Sequence, residues 1–586
     1  MTTYDTDVHR PQAPPAGRPD VAALRRPAHA PRAVAATVPD YHLPSPPSDQ
    51  EKYSYFGVQR RWPFVWLFFA QACLVYAFVR VMLRTPDTAL GLILLTVMIP
   101  PMVVNLWLRM KRRRLSIEEH VVGVETWRAT VEELPSVDVF LPVCGENLVV
   151  LANTFDHVKA LEWDGDLRVH VLDDAADAGT RELALEYGFD YVVRENRGEW
   201  KKAGNLIAAF DRTSADFIVV FDADFAPRTD FLWETVPYMA DPSTGVVQTA
   251  QYFDVDERVT YFARYAGALQ ELFFRWIQPA RDTCEAAICA GTNVVYRRTA
   301  VEAAGGFAQV PIGEDVHSGV KLWVANYHTR YVPIVLAKGL APDSWNALTN
   351  QQYRWCRSSM LLMMSRFFQD APFDKRQRTS FWAAFLYYMA SAAMPLISVL
   401  PTLIMVWFFA DTIVPSNYLL MVPSIISTLF VFPLVARGWS PGIYRVSTVN
   451  SFCHLLAVTD ALRNQVASWV PTGAAAAPKK AGVPVRVAVI ARTWFVLTQA
   501  LLWVGIGRLV VDGGNPWMIW PGIALAVFQV YLLAPMLITL GPAGDVYPER
   551  RPSGRHVQPD GSSGPVLDLR GDEPAVDLRP ATEVRS

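Results

Sequence analysis

The chain has 586 residues, 51% hydrophobic and 19% charged, with 54 Lys and Arg against 56 Asp and Glu for a net charge of −2. Ordinary globular chains carry roughly a quarter charged residues, so this one has ample apolar surface to bury and is not disordered as a whole. The near-neutral balance argues against a nucleic-acid binder, leaving a large soluble enzyme or a protein partly dissolved in lipid.

Residues 1–58 are Pro-, Ala- and Arg-rich at the start, lack apolar periodicity and read as a disordered tail. They contain no signal-peptide core and cleavage site. Two long apolar runs follow, Trp62–Leu83 and Leu90–Leu108, predicted as a pair of transmembrane helices within 59–110. Each is close to the ~20 residues needed to cross a ~30 Å hydrocarbon core. Arg60 and Arg61 before the pair, and Arg109, Lys111, Arg112, Arg113 and Arg114 after it, place both flanks on the cytoplasmic side. The polar stretch 111–379 is then cytosolic. Later runs over Phe381–Ala410, Tyr418–Ala436, Val487–Val511 and Trp517–Leu540 predict about four more spans within 380–543, with a cytosolic or interfacial loop at 437–486. Pro395 and Pro401 offer a place where the first of these could split, giving seven spans in place of six. The polar segment 544–586 reads as a second disordered tail. Localisation follows: a multi-pass plasma (inner) membrane protein with its large domain and both termini in the cytoplasm.

Inside the cytosolic stretch, strand and helix alternate. Apolar, β-rich runs occur at Val137–Val143, Leu167–Leu172, Phe189–Val193 and Phe217–Phe221, with a helical pattern near Leu148–Leu161. Such alternation predicts a mostly parallel sheet covered on both faces. Ligands of open sheets bind beyond the carboxyl ends of the strands, and acidic pairs lie there twice: Asp173-Asp174 and Asp222-Ala223-Asp224. Two carboxylates at i, i+2 after a buried strand can converge on one hard divalent cation and bridge it to a diphosphate; the plain alternative is a solvated Asp-containing turn. Glu314-Asp315, after Gly313, opens a predicted helix over Val316–Tyr327, where Asp315 could be only a cap. Gln351-Gln352-Tyr353-Arg354-Trp355 is a further polar and aromatic group. Amphipathic segments around Tyr261–Trp276 and Trp355–Phe368 fit either core-facing helices or helices lying in the headgroup plane. No phosphate-binding G-x-x-x-x-G-K-[ST] loop, dinucleotide turn or nucleophile elbow is present. The six cysteines, Cys73, Cys144, Cys284, Cys289, Cys356 and Cys453, form no C-x-x-C pair and no zinc spacing, consistent with reduced thiols.

In order along the chain, Asp173, Asp222/Asp224, Glu314-Asp315 and Gln351–Trp355 reproduce a D, D-x-D, E-D, Q-x-x-R-W series, with Lys202-Ala203-Gly204-Asn205 and Cys289-Ala290-Gly291-Thr292-Asn293 between them. This series resembles the processive family 2 glycosyltransferases, the cellulose, chitin and hyaluronan synthase group, and above all the bacterial cellulose synthase catalytic subunit. The resemblance covers Val137 to Met360 well and the flanking spans more loosely. It implies a GT-A-like α/β cytosolic domain inserted between transmembrane helices, and an inverting enzyme that polymerises a β-linked polysaccharide from a UDP-sugar and translocates it across the membrane. UDP-glucose is the expected donor, with UDP-N-acetylglucosamine second. The growing polysaccharide, the lipid bilayer and accessory export subunits are the implied partners, with no nucleic acid. Mg²⁺ or Mn²⁺ is the implied cofactor, held by Asp222 and Asp224. Asp315 is the implied base, with Glu314 beside it. Glu146, Asp173, Asp174, Lys202, Asp222, Gln351 and Arg354 would bind the nucleotide sugar, and Trp355 and Cys289 the acceptor. Trp382, Tyr387, Tyr388, Trp407 and Trp503 are candidate stacking or interface aromatics.

The sequence departs from the family in places. Gly313 replaces the usual Thr or Ser, and Cys356-Arg357-Ser358 follows the Arg-Trp pair where small residues and a Gly are common. Leu456-Ala457-Val458-Thr459 echoes only part of the gating loop, with Ala461 in place of its Lys. The segment after Gly544 is too short for a cyclic-di-GMP-binding barrel, so activation by that nucleotide is not expected. Two rival readings stand beside the polymerase: a non-processive enzyme glycosylating a lipid carrier, and a transporter with an inactive glycosyltransferase-like domain.

Overall fold

The computed structural model describes residues 42–56, 62–83, 115–255, 259–410, 415–427, 442–463, 482–513 and 520–538, with isolated positions between them. The expected span at Leu90–Leu108, most of the basic flank after it and the tail 544–586 lie outside the described residues.

Among the described residues ten strands run in chain order: β1 Val137–Val143, β2 Leu167–Asp173, β3 Asp190–Val192, β4 Phe217–Val220, β5 Phe225–Pro227, β6 Thr244–Gln248, β7 Tyr252–Phe253, β8 Val294–Arg297, β9 His328–Tyr331 and β10 Ala337–Gly339. Seven form the main sheet in the order β3-β2-β1-β4-β8-β6-β9; β5, β10 and β7 form a small second sheet. Within the main sheet only β8 is reversed, pairing antiparallel with β4 and β6, while the other neighbours are parallel. The mostly parallel α/β reading is therefore correct. Every residue of β1 and β4 is buried, as expected of strands covered on both faces. The reversal of β8 matters for the site. Its first residue, Val294, lies opposite Val220 at the end of β4, so the loop before β8 arrives at the same sheet edge as the loop after β4.

Twelve helices of the described chain are used below: α1 Trp62–Met82, α2 Ile117–Thr130, α3 Leu148–Lys159, α4 Ala178–Glu186, α5 Lys202–Phe210, α6 Tyr261–Leu272, α7 Glu314–Val324, α8 Trp345–Met364, α9 Lys375–Phe408, α10 Gly442–Leu462, α11 Val483–Val511 and α12 Trp520–Ile538. One apolar core packs α3 and α4 on the sheet around Leu151, Phe155, Val171 and Leu183. A second lies on the other face around Phe140, Leu206, Val220 and Val294. A third joins Phe262 of α6, Leu348 and Tyr353 of α8, Phe385 of α9, Phe452 of α10 and Val487 of α11. That third core is what binds the α/β domain to the long helices.

Two described helices, α9 and α11, are long and apolar enough to cross a membrane by length and composition. Helix α9 runs unbroken through Pro395 and Pro401, so the alternative of a split there does not occur. The run from Tyr418 begins as a 3₁₀ helix, Pro415–Met421, and a short α-helix, Val422–Ile426, in place of one long helix; its remainder is outside the described residues. Two further segments differ from expectation. The segment 437–486, read as a loop, contains the 21-residue helix α10, whose Val446, Cys453, His454 and Asp460 are fully buried. The partial gating motif at Leu456–Thr459 is thus helical, and Thr459 turns its hydroxyl back to the Leu455 carbonyl at 2.7 Å.

Residues 42–56, expected as tail, lie against the domain. Lys52 is 5% exposed and donates to Asp230 at 2.8 Å and Glu234 at 2.7 Å. Tyr55 lies under the Arg275 guanidinium, 4.7 Å from its ring centre, and Phe56 enters the core beside Val137. A Pro-rich composition does not foretell this, because each contact is made with a residue far away along the chain.

Candidate active site

The loop after β4 carries Asp222 and Asp224. Its backbone is fixed from two sides: the Asp222 N–H donates to Thr292 Oγ1 at 2.9 Å, and the Leu340 N–H to the Asp224 carbonyl at 3.3 Å. Lys202, the first residue of α5, donates to Asp222 Oδ1 and, at 2.8 Å, to the carbonyl of Gly291. The turn before α5 is unusual. Gly198, Trp200 and Lys201 have φ of 80°, 52° and 53°, a left-handed region that non-glycine residues enter at a cost. This turn aims Lys202 back at the sheet edge. Burial would depress the Lys202 ammonium, but the facing charges of Asp222 and Glu314 raise it, so it stays cationic.

Gly291 (φ +77°) lets the loop before β8 pass against Asp315: a Cβ there would fall 3.0 Å from the Asp315 Cβ and 3.1 Å from its Oδ2. A side chain at 291 would therefore displace the Asp315 carboxyl. Asp315 is the second residue of α7, and its Oδ1 accepts from the N–H of Val316 at 2.8 Å. The N-cap position belongs to Gly313, which has no side chain to cap with, so the capping reading of Asp315 is replaced by a side chain facing the site. Burial first, then the neighbouring charge of Glu314, raises the Asp315 carboxyl above the ordinary carboxylate range. Asp224 is likewise pushed up to about 8, by burial and then by Asp222 and Glu146. Burial, and then Asp173 and Asp222, raises Glu146 as well, although its Oε2 accepts from the Cys144 N–H at 2.6 Å. Arg354 of α8 loses some basicity to burial while feeling Asp222 and Glu314. Glu146, Asp222, Asp224, Glu314 and Asp315 thus share one field with Lys202 and Arg354.

Other expected site residues have different surroundings. Asp173 is 1% exposed and its oxygens are taken by the N–H groups of Ala175 and Asp177 (both 2.8 Å) and the Tyr191 hydroxyl (2.7 Å). It shapes the loop after β2 from within. Asp174 accepts from Arg194 at 2.7 Å and from the Gly198 N–H at 3.0 Å. Arg194 also donates to Asn205 at 2.7 Å, and Asn205 to the Leu172 carbonyl at 3.0 Å. This chain ties the end of β2 to the strained turn before Lys202. Sequence reasoning missed Arg194 and Tyr191, for which no motif existed. Cys289 lies in the core behind Asp315, with Sγ 2.9 Å from the Tyr296 hydroxyl and its thiol pushed up to about 12, first by burial and then by Asp315. It packs behind Asp315 and offers no exposed face. Gln351 is buried with Oε1 unpaired, and Trp355 is half-buried on the same helix. Of the candidate aromatics, Trp407 and Trp503 spend their indole N–H groups on Leu501 O (3.0 Å) and Gln499 Oε1 (3.1 Å). Tyr388 packs edge-on to His454.

Residues 217–439 match the model of the glycosyl transferase family group 2. The chain carries a family 2 glycosyltransferase domain. Among curated relatives, the cellulose synthase catalytic subunit (UDP-forming) of Pseudomonas fluorescens strain SBW25 is 36% identical over 231 residues, 39% of this chain and 31% of that protein. Cellulose synthase 1 of Komagataeibacter xylinus is 30% identical over 322 residues, 53% of this chain and 20% of that one. The chain therefore spans under a third of the length of these relatives. A solved mannosyltransferase from Pyrobaculum calidifontis, in complex with GDP-Man and Mn²⁺, aligns over 64% of this chain and 100% of its own at 18% identity and a TM-score of 0.42. The glycosyltransferase domain resembles that of the processive enzymes of cellulose synthase type, as the order of its motifs led one to expect.

Proposed function

We propose that this glycosyltransferase is an inverting, processive membrane enzyme that polymerises a β-linked glucan from a UDP-sugar, UDP-glucose first, and passes it across the plasma membrane, with its α/β domain on the cytoplasmic side. One observation carries the reading: Lys202 joins Asp222 to the Gly291 carbonyl, and Gly291 abuts Asp315. A group able to neutralise a leaving diphosphate and a group able to take an acceptor proton are thereby held one residue apart.

Glycosyl transfer needs charge neutralisation at the diphosphate, a base for the acceptor hydroxyl, and alignment of both. Asp222 and Asp224 fit a hard divalent cation, Mg²⁺ or Mn²⁺. The raised carboxyl of Asp224 marks negative charge that the protein alone leaves uncompensated. Among the described residues no three acidic, His or Cys groups cage an ion by themselves, which suits an ion completed by diphosphate oxygens and water. Such an ion supplies positive charge to the departing diphosphate. Lys202 and Arg354 add fixed positive charge at the same place, Arg354 through a fork suited to phosphate. Glu146, with Asp173 and Asp174 shaping the adjacent loop, borders the nucleotide. Asp315, kept basic by burial and by Glu314, accepts the proton of the acceptor hydroxyl. Trp355 offers a flat face to an acceptor ring.

Helices α9 and α11, joined to α8 through a common core, support a membrane path for the product. Sugar hydroxyls crossing hydrocarbon without partners cost several kcal/mol each, so synthesis beside a polar path removes that barrier. The test is incubation of the purified full chain in nanodiscs with UDP-glucose or UDP-N-acetylglucosamine and Mg²⁺. A long product digested by a β-glucanase supports the proposal. Single-sugar lipid adducts, or no UDP release from any donor, overturn it.

A further inference from the structure

We propose that Ser358 is an acceptor-binding residue whose hydroxyl is held for a sugar hydroxyl of the growing chain; this deepens, and rests on, the polymerising function above. Ser358 lies on α8 and is 4% exposed, yet its Oγ has no hydrogen-bond partner. Two neighbouring hydroxyls behave differently. Thr349 on α8 and Thr459 on α10 return their hydroxyls to the carbonyls of Trp345 and Leu455, each at 2.7 Å. Ser358 forgoes that bond and points across to α7, where Gly313 makes room for it. A Cβ on Gly313 would fall 1.6 Å from Ser358 Oγ. The hydroxyl thus occupies the volume that a side chain at 313 would fill, directly before Glu314 and Asp315.

A second unpaired atom lies on the same helix face. Gln351 Oε1, seven residues back, is also buried without a partner, and Arg354 and Trp355 lie between them. Next to Ser358, Ser359 hydrogen-bonds the Tyr388 hydroxyl, which feels the Asp315 charge. One face of α8 therefore presents an amide oxygen, a guanidinium, an indole and a hydroxyl beside the base. Buried polar atoms are nearly always paired in folded proteins, and two orphans flanking a sugar-stacking aromatic fit a ligand rich in hydroxyls.

The test compares Ser358→Ala with the full-length wild type in nanodiscs, using radiolabelled UDP-sugar and Mg²⁺ and reading product length. Loss of one acceptor hydrogen bond raises release of the chain at each cycle, and the product shortens about fivefold. The KM for the UDP-sugar stays within twofold, because the donor side is untouched. The melting temperature is unchanged or higher, since an unpaired buried hydroxyl has been removed. Ser358→Cys, which fills the space but donates weakly, gives short product like Ser358→Ala. Wild-type length in Ser358→Ala, full length in Ser358→Cys, or a clear fall in melting temperature overturns the role of Ser358 and leaves the polymerase reading intact. Failure of the wild type to make polymer overturns both.

Discussion

Lys202 holds Asp222 and Gly291 together through one ammonium, donating to the carboxylate of the first and, at 2.8 Å, to the carbonyl of the second. The loop after β4 and the loop before β8 approach each other because β8 runs antiparallel to β4. The lysine bridges them beside the direct bond from the Asp222 N–H to Thr292 Oγ1. Replacing it with methionine keeps the length of the side chain and removes the charge. Lys202→Met is expected to lower kcat/KM for UDP release about a hundredfold, the scale of truncating one partner of a buried charge pair. A coupled UDP-release assay, with circular dichroism to confirm the fold, checks this.

Asp315→Asn is expected to keep nucleotide binding and to lower turnover by about 10²–10⁴, the usual worth of a positioned general base. A base works in its ionised form, and burial together with Glu314 raises the carboxyl. The acidic limb of kcat/KM against pH is therefore displaced upward from the ordinary value of about 4, with activity rising as pH rises through it. Glu314→Gln removes the repulsion that helps hold the carboxyl up and moves that limb to lower pH. A pH–rate profile of the two proteins reads the shift directly.

Asp224→Ala is expected to abolish the dependence of UDP binding on Mg²⁺, measured by calorimetry with and without the ion. Its isostere tests the cost of the charge. With its carboxyl pushed up to about 8, Asp224 in the metal-free protein weakens the fold progressively as pH rises from the ordinary Asp range through that value. In EDTA, Asp224→Asn should melt higher than wild type at pH 9, with the difference vanishing near pH 4. A thermal shift series over that range decides it.

The segment at 42–56 is secured by Lys52, which faces Asp230 and Glu234, while Glu234 also meets His120 at 2.6 Å. Burial tends to raise the Glu234 carboxyl, but its bonds to His120 and Lys52 outweigh that and lower it. A depressed carboxyl contributes stability that is present above the ordinary Glu value of about 4.3 and is lost as pH falls below it. Lys52→Met is expected to cost less than the about 3–5 kcal/mol of stranding a buried charge, because His120 remains. Limited proteolysis near Tyr53 should quicken in Lys52→Met at pH 7, and in wild type only below about pH 4.

Much of the domain was legible because its signals are local. The strand β1 has the predicted limits Val137–Val143, since a seven-residue run that is apolar except at Asp138 and is bounded by polar turns admits few other readings. The carboxyl-end loops of β2 and β4 follow from the same runs, and with them Asp173, Asp174, Asp222 and Asp224. Helix α10 was not legible. Its sequence mixes Ser, Thr, Asn, His and Asp with apolar residues, and its burial comes from lying among α8, α9 and α11. Arg194 and Tyr191 were missed for a similar reason: each acts by reaching a carboxylate on another loop.

The sequence by itself determined the chemistry available: two acidic strand ends, an acidic helix start, a Lys-Ala-Gly-Asn turn and a Gln-x-x-Arg-Trp helix, in an order that resembles one family. Local apolar period and residue type carry that information without any contact between distant segments. Only the tertiary structure decided which of those groups share a field, that Asp173 and Cys289 work from inside the fold, and that Gly313 yields its space to Ser358. Burial and charge proximity set those outcomes, and both depend on three-dimensional distances between residues far apart in the chain.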